Sequence, residues 1–354
     1  MQNRTCVDYE DLERFCREAL SACGADEPTQ TACTNSIMHG SIHGVDSHGV
    51  RLLPHYIAVF ETGRLNRTPN LNFTQVKAGT GILDGDNAQG GRAMYAAMDH
   101  AIALARETGI AGVAVQNSSH FGPAGAYSIH AARAGMIGLT FGNSDAFVRL
   151  HDGAERFHGT NPISMAVPTG TEHPWLLDMA TSSVPVNRVQ LYASLGVDLP
   201  DDVASDTEGV DTNDPNRAEM MAPVGAAFGF KGAALGGMAE IFSAVLSDMR
   251  LSPEIAPMGD LSDSRPREMG AFVMAIDPDG FVGRIAATAI MDRYLSQLRS
   301  SKPAKGKQVM APGDREWAEA AVRREKGVPL DPVTVEGFEA LCERYSLIFP
   351  KRVA

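Results

Sequence analysis

Apolar residues near the start of the chain recur with the spacing of an amphipathic helix. The apolar face consists of Leu12, Phe15, Cys16, Ala19, Leu20 and Cys23. Asp8 stands where such a helix would be capped and Gly24 where it would end, so a helix is predicted between them. Pro28 predicts the start of a second helix that runs toward His43, and residues 54–62 predict a third. The beginning of the chain is therefore expected to be helical.

After residue 76 the pattern changes to short apolar runs that alternate with helical stretches. Buried strands are predicted at residues 111–115, 136–141, 163–167, 175–179 and 271–276. Helices are predicted at residues 92–108, 124–134 and 234–249, and after Pro278 at residues 285–299, 316–326 and 334–345. The stretch 200–217 lacks periodicity and predicts a surface loop. We therefore expect an α/β domain at residues 76–278 and a helical domain built from residues 1–75 and 279–354.

Composition narrows the class of protein. With 354 residues, 44% of them hydrophobic, the chain is long enough for two domains or one elaborated domain. A net charge of -12 disfavours a nucleic-acid binder, which needs clustered Lys and Arg. No apolar run reaches the length of a membrane span, and the charged N-terminus does not resemble a signal peptide. We expect a cytoplasmic protein that binds neither membrane nor nucleic acid.

The five cysteines do not predict a fold that is stabilised by disulfide bonds or by a metal ion. Their number is odd and none is spaced as CxxC, which weighs against a disulfide framework and against a zinc site. Cys16 and Cys23 lie within the helical pattern and are expected to be core thiols. No metal site is predicted.

The first candidate catalytic segment runs from Gly44 to Arg51 and contains Ser47 and His48. An imidazole can exchange a proton near neutral pH, and a guanidinium can hold an anion. If helix geometry continues from His48, Arg51 and His55 lie on the same face. That combination suits a small carboxylate whose neighbouring carbon is oxidised or reduced.

Two further clusters support an enzyme. His120 follows a predicted strand and precedes a helix near Pro123, where backbone N–H groups could face an anion. Lys231 lies among glycines ahead of a predicted helix and could contact phosphates. The stretch 79–85 nearly mimics a GxGxxG motif, but its third glycine is one residue late and no clear strand precedes it, so a turn is predicted.

Ser47 beside His48 also raises the possibility of a serine hydrolase. Adjacent residues rarely place a hydroxyl and an imidazole in nucleophile–base geometry, and the sequence has no GxSxG elbow. The hydrolase therefore stays a less favoured alternative, which inactivation by an active-site serine reagent would support.

Six motifs stand in the order seen in the type 2 malate/L-lactate dehydrogenase family, which the chain resembles from about residue 8 to residue 330. The motifs are residues 45–50 (VDSHGV), 119–122 (SHFG), 159–162 (GTNP), 178–181 (DMAT), 229–232 (GFKG) and 312–314 (PGD). The resemblance implies a three-layer α/β/α fold around a mixed sheet that binds NAD or NADP without a Rossmann motif. It also implies a homodimer with active sites near the subunit interface.

The resemblance assigns roles to individual residues. His48, with Ser47 as its partner, resembles the family's catalytic acid/base, and His120 resembles a second histidine treated as the proton acceptor in some members. Arg51 and Thr160 are the candidates for substrate binding. The positions that match cofactor contacts are His120, Phe121, Gly122, Ala124, Ser144, Asp178, Met179, Ala180, Lys231, Pro312, Gly313 and Asp314.

Two positions depart from the family pattern. Many relatives place the carboxylate-binding arginine four residues after the catalytic histidine, where this chain has Leu52 and carries its arginine at Arg51. One residue turns a helical side chain by about 100°. Arg188 stands where some relatives that reduce cyclic ketimines carry an acidic residue.

The sequence therefore predicts an NAD(P)-dependent oxidoreductase that interconverts a small 2-oxo acid and its 2-hydroxy acid by hydride transfer. His48 and His120 both remain candidates for the acid/base, and NAD and NADP both remain candidates for the cofactor. The alternatives are reduction of a cyclic ketimine carboxylate or of a sugar-derived 2,3-diketo acid. A catalytically silent nucleotide-binding protein is a smaller alternative.

Overall fold

The structure is a computed structural model that describes residues 5–353. Its α-helices are α1 (Tyr9–Ala22), α2 (Glu27–Ile42), α3 (Leu53–Glu61), α4 (Gly90–Thr108), α5 (Gly125–Arg133), α6 (Val186–Leu195), α7 (Gly229–Glu240), α8 (Arg284–Arg299), α9 (Asp314–Lys326) and α10 (Pro332–Tyr345). Its first five strands are β1 (Thr5–Val7), β2 (Asn72–Lys77), β3 (Thr80–Asp84), β4 (Ile110–Ser118) and β5 (Ile137–Gly142). They are followed by β6 (Val148–Arg149), β7 (Arg156–His158), β8 (Ile163–Val167), β9 (Trp175–Met179), β10 (Ala204–Ser205), β11 (Met220–Met221), β12 (Met269–Ile276) and β13 (Val328–Leu330).

A mixed sheet of seven strands forms the centre of the molecule, in the order β2-β3-β4-β12-β5-β8-β9. Only β3 and β4 run parallel within it, and every other neighbouring pair is antiparallel. Helices α4 and α5 pack on one face, and α7 with the π-helical turn Ile241–Val245 packs on the other. The predicted three-layer α/β/α fold around a mixed sheet is confirmed.

The central strand β12 shows why this sheet is covered on both faces. Ala271, Val273 and Ala275 are almost fully buried in the core beneath α4 and α5. Phe272 points to the opposite face, where its ring lies 4.9 Å from that of Phe242 in the π-helical turn. Apolar residues on both faces of a strand are typical of a strand between two helical layers.

Segments from both ends of the chain share a second apolar core. Strand β1 pairs with β13 in antiparallel register, and α1 contacts α10. The rings of Phe15 and Phe338 lie 4.7 Å apart, and both side chains are fully buried. A shared core of this kind is what the predicted helical domain from the two termini requires.

Helix α8 does not contribute to that terminal core. Asp292 accepts a hydrogen bond from the Gly170 N–H at 2.9 Å, and Arg284 ion-pairs with Asp279 at 3.5 Å. These contacts place α8 beside the α/β part, and the terminal core resumes only with α9 and β13. Within residues 5–353, no helix is long and apolar enough to cross a membrane.

The structure differs from the sequence-based expectations at four places. Strand β2 spans residues 72–77 and crosses the predicted domain boundary, and β3 begins at Thr80, where a turn was expected. This edge hairpin has mostly polar and exposed residues, so it lacks an apolar run. Its pairing with β4 fixes it instead. Helix α7 begins at Gly229, five residues before the predicted helix, and the stretch 200–217 contains the short strand β10.

The terminal core yields a stability prediction. Phe338→Ala should lower the free energy of unfolding by about 3–5 kcal/mol, because it leaves a cavity against Phe15. Val333→Ala in the same helix removes a side chain that is 58% exposed and should cost less than about 0.5 kcal/mol. Denaturant unfolding measures both values, and equal small effects would show that α10 does not belong to the folding core.

Candidate active site

The segment that carries His48 is held in place by its neighbours. After α2 ends, two short 3₁₀ turns, Asp46–His48 and Val50–Leu52, are separated by Gly49. A Cβ at Gly49 would lie 2.3 Å from the Ser41 Oγ, so the two segments approach more closely than any larger residue allows. Arg323 of α9 hydrogen-bonds Asp46 and the Ser41 carbonyl. Ser47 Oγ then lies 2.9 Å from His48 Nδ1.

The expected continuous helix from His48 is wrong. The backbone becomes extended at Gly49, and α3 begins only at Leu53, so helical spacing does not relate His48 to the residues after it. The side chain of Arg51 is 36% exposed and its Nη1 forms an ion pair with Asp331 at 2.5 Å. Its predicted role in substrate binding stays a prediction.

The second histidine follows β4, at the end of the sheet where that strand stops. Ser36 Oγ donates a hydrogen bond of 2.8 Å to the Phe121 carbonyl and anchors the segment to α2. Gly122 has a φ of 76°, a left-handed conformation that favours glycine. In this conformation the Gly122 N–H donates to His120 Nδ1 over 3.4 Å, and the Tyr56 hydroxyl lies 2.7 Å from the same nitrogen.

The two predicted catalytic histidines come together. The rings of His48 and His120 are stacked, with centroids 5.7 Å apart, about twice the length of a hydrogen bond. Both residues are partly exposed, and no group among residues 5–353 hydrogen-bonds either Nε2 atom. Both Nε2 atoms are therefore available to a ligand.

The surroundings keep these imidazoles neutral. Burial lowers the pKa of His48 below its ordinary value. The pKa of His120 falls well below that value because of burial first, and then because of His48, Arg267 and His55 nearby. Burial and Arg267 likewise lower the pKa of His55 to about 4. A histidine with a pKa below neutral is available as a proton acceptor.

Arg267 is a functional candidate that the sequence did not reveal. It is 4% exposed and forms an ion pair of 2.5 Å with Asp145, while its Nε donates to the Ala256 carbonyl at 2.9 Å. Its Nη1 is buried and has no hydrogen-bond partner among the described residues. A buried, unpaired guanidinium nitrogen is costly, so it is suited to an anionic ligand. In the sequence, Arg267 lies in a polar stretch that resembles an exposed loop.

Several predicted cofactor positions lie near this end of the sheet. Ser144 Oγ accepts a hydrogen bond of 3.3 Å from the Thr160 N–H, and the Thr160 carbonyl accepts one of 2.9 Å from Thr181. Asp178 accepts a bond of 2.9 Å from the Gly125 N–H at the start of α5. The structure thus brings together the segments that carry Ala124, Ser144, Thr160, Asp178, Met179 and Ala180.

The remaining predicted cofactor residues are more distant from the histidines. Lys231 lies in the first turn of α7, where its Nζ is 5.1 Å from the centre of the Phe228 ring. Pro312 accepts a hydrogen bond of 3.3 Å from the Leu176 N–H, which places residues 312–314 beside edge strand β9. Asp314 is ion-paired with Arg299 at 2.7 Å. None of these contacts reaches His48 or His120.

The polar groups at the predicted cofactor positions have the chemistry that a nicotinamide dinucleotide requires. The hydroxyls of Ser144 and Thr160 and the carboxyl of Asp178 match ribose hydroxyls and amides, and the ammonium of Lys231 matches a phosphate. Burial raises the pKa of Asp178 to about 7, so a fraction of the molecules carries a protonated, neutral carboxyl near pH 7. A neutral carboxyl does not repel a phosphate as a carboxylate does. These residues would hold such a cofactor.

Comparison with known proteins identifies close relatives along the whole chain. The family model described as malate/L-lactate dehydrogenase matches residues 7–339. The malate dehydrogenase of Pyrococcus abyssi is 29% identical over 351 residues, which cover 97% of this chain and 96% of that protein. The ureidoglycolate dehydrogenase (NAD(+)) of Escherichia coli K12 is 27% identical, and the match covers 97% of this chain and 94% of that protein. The solved structure of sulfolactate dehydrogenase from Methanocaldococcus jannaschii matches with a TM-score of 0.90 at 27% identity. The match covers 97% of this chain and 98% of that structure.

The raised pKa of Asp178 predicts a pH dependence of stability without any ligand. The pKa rises from 3.8 to about 7 on folding, so folding favours the protonated carboxyl and its contribution is lost as the pH rises through that interval. Unfolding free energies of the wild type and Asp178→Asn, measured between pH about 4 and 7, should diverge, with the wild type losing stability relative to the variant. Parallel profiles would contradict the raised pKa.

Proposed function

Because the chain belongs to the malate/L-lactate dehydrogenase family, we propose that this dehydrogenase interconverts a small 2-oxo acid and its 2-hydroxy acid, with NAD or NADP as cofactor. The observation that carries the proposal is the pair of neutral histidines beside an unpaired buried guanidinium. Alcohol oxidation needs a proton acceptor, and a substrate carboxylate needs a cation. His48 and His120 provide the first, and Arg267, whose charge acts on His120, provides the second.

Arg267 holds the substrate carboxylate in this proposal. Its Nη2 is bound to Asp145 and its Nε to a backbone carbonyl, so the guanidinium is held in one position. The free Nη1 then presents a fixed hydrogen-bond donor to an anion. Arg51, ion-paired with Asp331 and more exposed, is the alternative site for this role, or for a second acidic group of the substrate.

The histidines act on the oxygen at C2. The carboxylate bound at Arg267 would place that oxygen between the two rings, where an Nε2 atom accepts the hydroxyl proton on oxidation and returns it on reduction. A bound nicotinamide supplies the acceptor or donor of the hydride. Thr160 and Ser144, which are hydrogen-bonded to each other, form the adjoining wall.

A homodimer in the cytoplasm completes the proposal. Apolar side chains at the start of α8 face solvent in the single chain: Phe281 is 63% exposed, Val282 66% and Ile285 89%. A cluster of this kind is typical of a surface that a second copy covers. Light scattering should give twice the chain mass of 37.7 kDa, and a mass of one chain would contradict the dimer.

The reaction class can be tested with a panel of compounds. The protein is mixed with NADH or NADPH and with pyruvate, oxaloacetate, sulfopyruvate, 2,3-diketogulonate or piperideine-2-carboxylate, and the loss of nicotinamide absorbance is followed. Turnover of a 2-oxo acid is the expected result. Turnover of piperideine-2-carboxylate alone would replace the proposal with a ketimine reductase, and cofactor binding without any turnover would indicate a silent protein.

Matched Arg→Lys variants distinguish the two candidate anion-binding residues. Arg267→Lys keeps the charge beside Asp145 but loses the fixed fork of donors, so KM for the 2-oxo acid should rise by roughly 10- to 100-fold. Arg51→Lys should change KM by less than about 3-fold, because an exposed ion pair with Asp331 contributes little. Steady-state kinetics measure both, and the opposite ranking would assign the carboxylate to Arg51.

A further inference from the structure

The geometry points to a division of labour between the histidines: Gln89 and Tyr56 lock His120 as a hydrogen-bond donor at Nε2, so that His48 is the residue that moves the proton. Tyr56 and Gln89 are positioning residues in this scheme, because they act through His120. The inference rests on the proposed function for its catalytic part, but the locked tautomer is a property of the protein alone.

The chain of hydrogen bonds begins at Gln89, which is fully buried. The Gly91 N–H donates to Gln89 Oε1 at 2.8 Å, and a backbone N–H can only donate. The amide orientation of Gln89 is therefore fixed, with its NH₂ group on the other side. That group donates to the His120 carbonyl at 3.3 Å.

The next link is Tyr56, which is 2% exposed. The Gln89 side chain lies near the Tyr56 phenol, and because its outward group is an NH₂ donor, it opposes part of the rise in the pKa of the phenol that burial causes. The single proton of the phenol is then free for its other neighbour, His120 Nδ1, at 2.7 Å. Burial raises the pKa of Tyr56 well above its ordinary value, so the phenol keeps that proton.

An independent donor reaches the same nitrogen from the other side. The Gly122 N–H points at His120 Nδ1 over 3.4 Å. A ring nitrogen that receives two donors must be the unprotonated one. The Gly122 N–H therefore imposes the tautomer in which the proton of neutral His120 is on Nε2, and the Tyr56 phenol at 2.7 Å can donate to the same nitrogen.

This tautomer limits what His120 can do. Its Nε2–H can donate a hydrogen bond to the substrate oxygen, but its only lone pair is already occupied, so it cannot take up the hydroxyl proton. A neutral imidazole in such a position polarises a carbonyl and stabilises the charge that develops on its oxygen. His120 is thus suited to hold the oxygen in both directions of the reaction.

His48 has the freedom that His120 lacks. Its single hydrogen-bond partner among the described residues is Ser47 Oγ at 2.9 Å, and a hydroxyl can either donate or accept. During oxidation the substrate's O–H bond breaks and its proton moves to His48 Nε2, while Nδ1–H donates to Ser47. A bound nicotinamide would take up the hydride of C2 in this direction, and reduction would reverse both transfers.

The tautomer can be measured in protein without cofactor or substrate. NMR of the imidazole nitrogens, with isotope-labelled histidine, should show His120 protonated at Nε2 and unprotonated at Nδ1 at neutral pH. His120→Gln and His48→Gln assign the signals. Tyr56→Phe leaves the Gly122 N–H in place, so it should raise the share of the other tautomer without making it dominant, while circular dichroism remains unchanged. Protonation of His120 at Nδ1 in the wild type would overturn the inference, whichever substrate the enzyme uses.

Kinetics of matched variants test the division of labour. Glutamine can donate a hydrogen bond but cannot take up a proton, so His120→Gln should stay within about 10-fold of the wild-type kcat, whereas His120→Ala should lose about 10²–10³-fold. His48→Gln should lose about 10²–10⁴-fold, because its proton transfer has no substitute. The reverse order for the two glutamine variants would overturn the inference. If no 2-oxo acid is turned over by the wild type, the proposed function fails, and the NMR result alone decides the tautomer.

Discussion

The buried ion pair between Arg267 and Asp145 is the interaction on which the rest of the site depends. It joins the loop after β5 to the segment ahead of β12, and both side chains are nearly inaccessible to water. A charge in such a place is tolerated only because it is paired and hydrogen-bonded. Burial first, and then the charge of Arg267, lowers the pKa of His120 and of His55. One guanidinium nitrogen of Arg267 has no hydrogen-bond partner among the described residues, and in the proposed mechanism it binds the substrate anion.

The fold explains why these groups meet. Strands β4, β5 and β9 end at one end of the sheet, and β8 and β12 begin there, so the connecting segments of five strands meet at that end. Arg323 fixes the segment of His48 from the side of the helical core. The site therefore depends on both parts of the molecule: the sheet supplies His120 and the cofactor positions, and the terminal helices supply His48 and Tyr56.

Much of the sheet could be predicted because its strands are continuous apolar runs. The bounds predicted for residues 163–167 and 175–179 match β8 and β9. The edge strand β2 and its neighbour β3 could not be predicted, because β2 is mostly exposed and neither strand is a continuous apolar run. They are ordered by joining the sheet, where β2 pairs with β3 and β3 pairs with β4. Arg267 was missed for a similar reason. Its ion-pair partner, Asp145, lies 122 residues away in the sequence, and a local sequence pattern does not predict so distant a contact.

In the proposed mechanism Arg267 and the two histidines bind one substrate. A crystal structure with reduced cofactor and oxamate, an analogue of a 2-oxo acid, is the decisive measurement. The oxamate carboxylate is expected within hydrogen-bond distance of Arg267 Nη1, and its amide carbonyl oxygen close to the Nε2 atoms of His48 and His120. A carboxylate bound at Arg51 instead, with Arg267 Nη1 still unpaired, would contradict it.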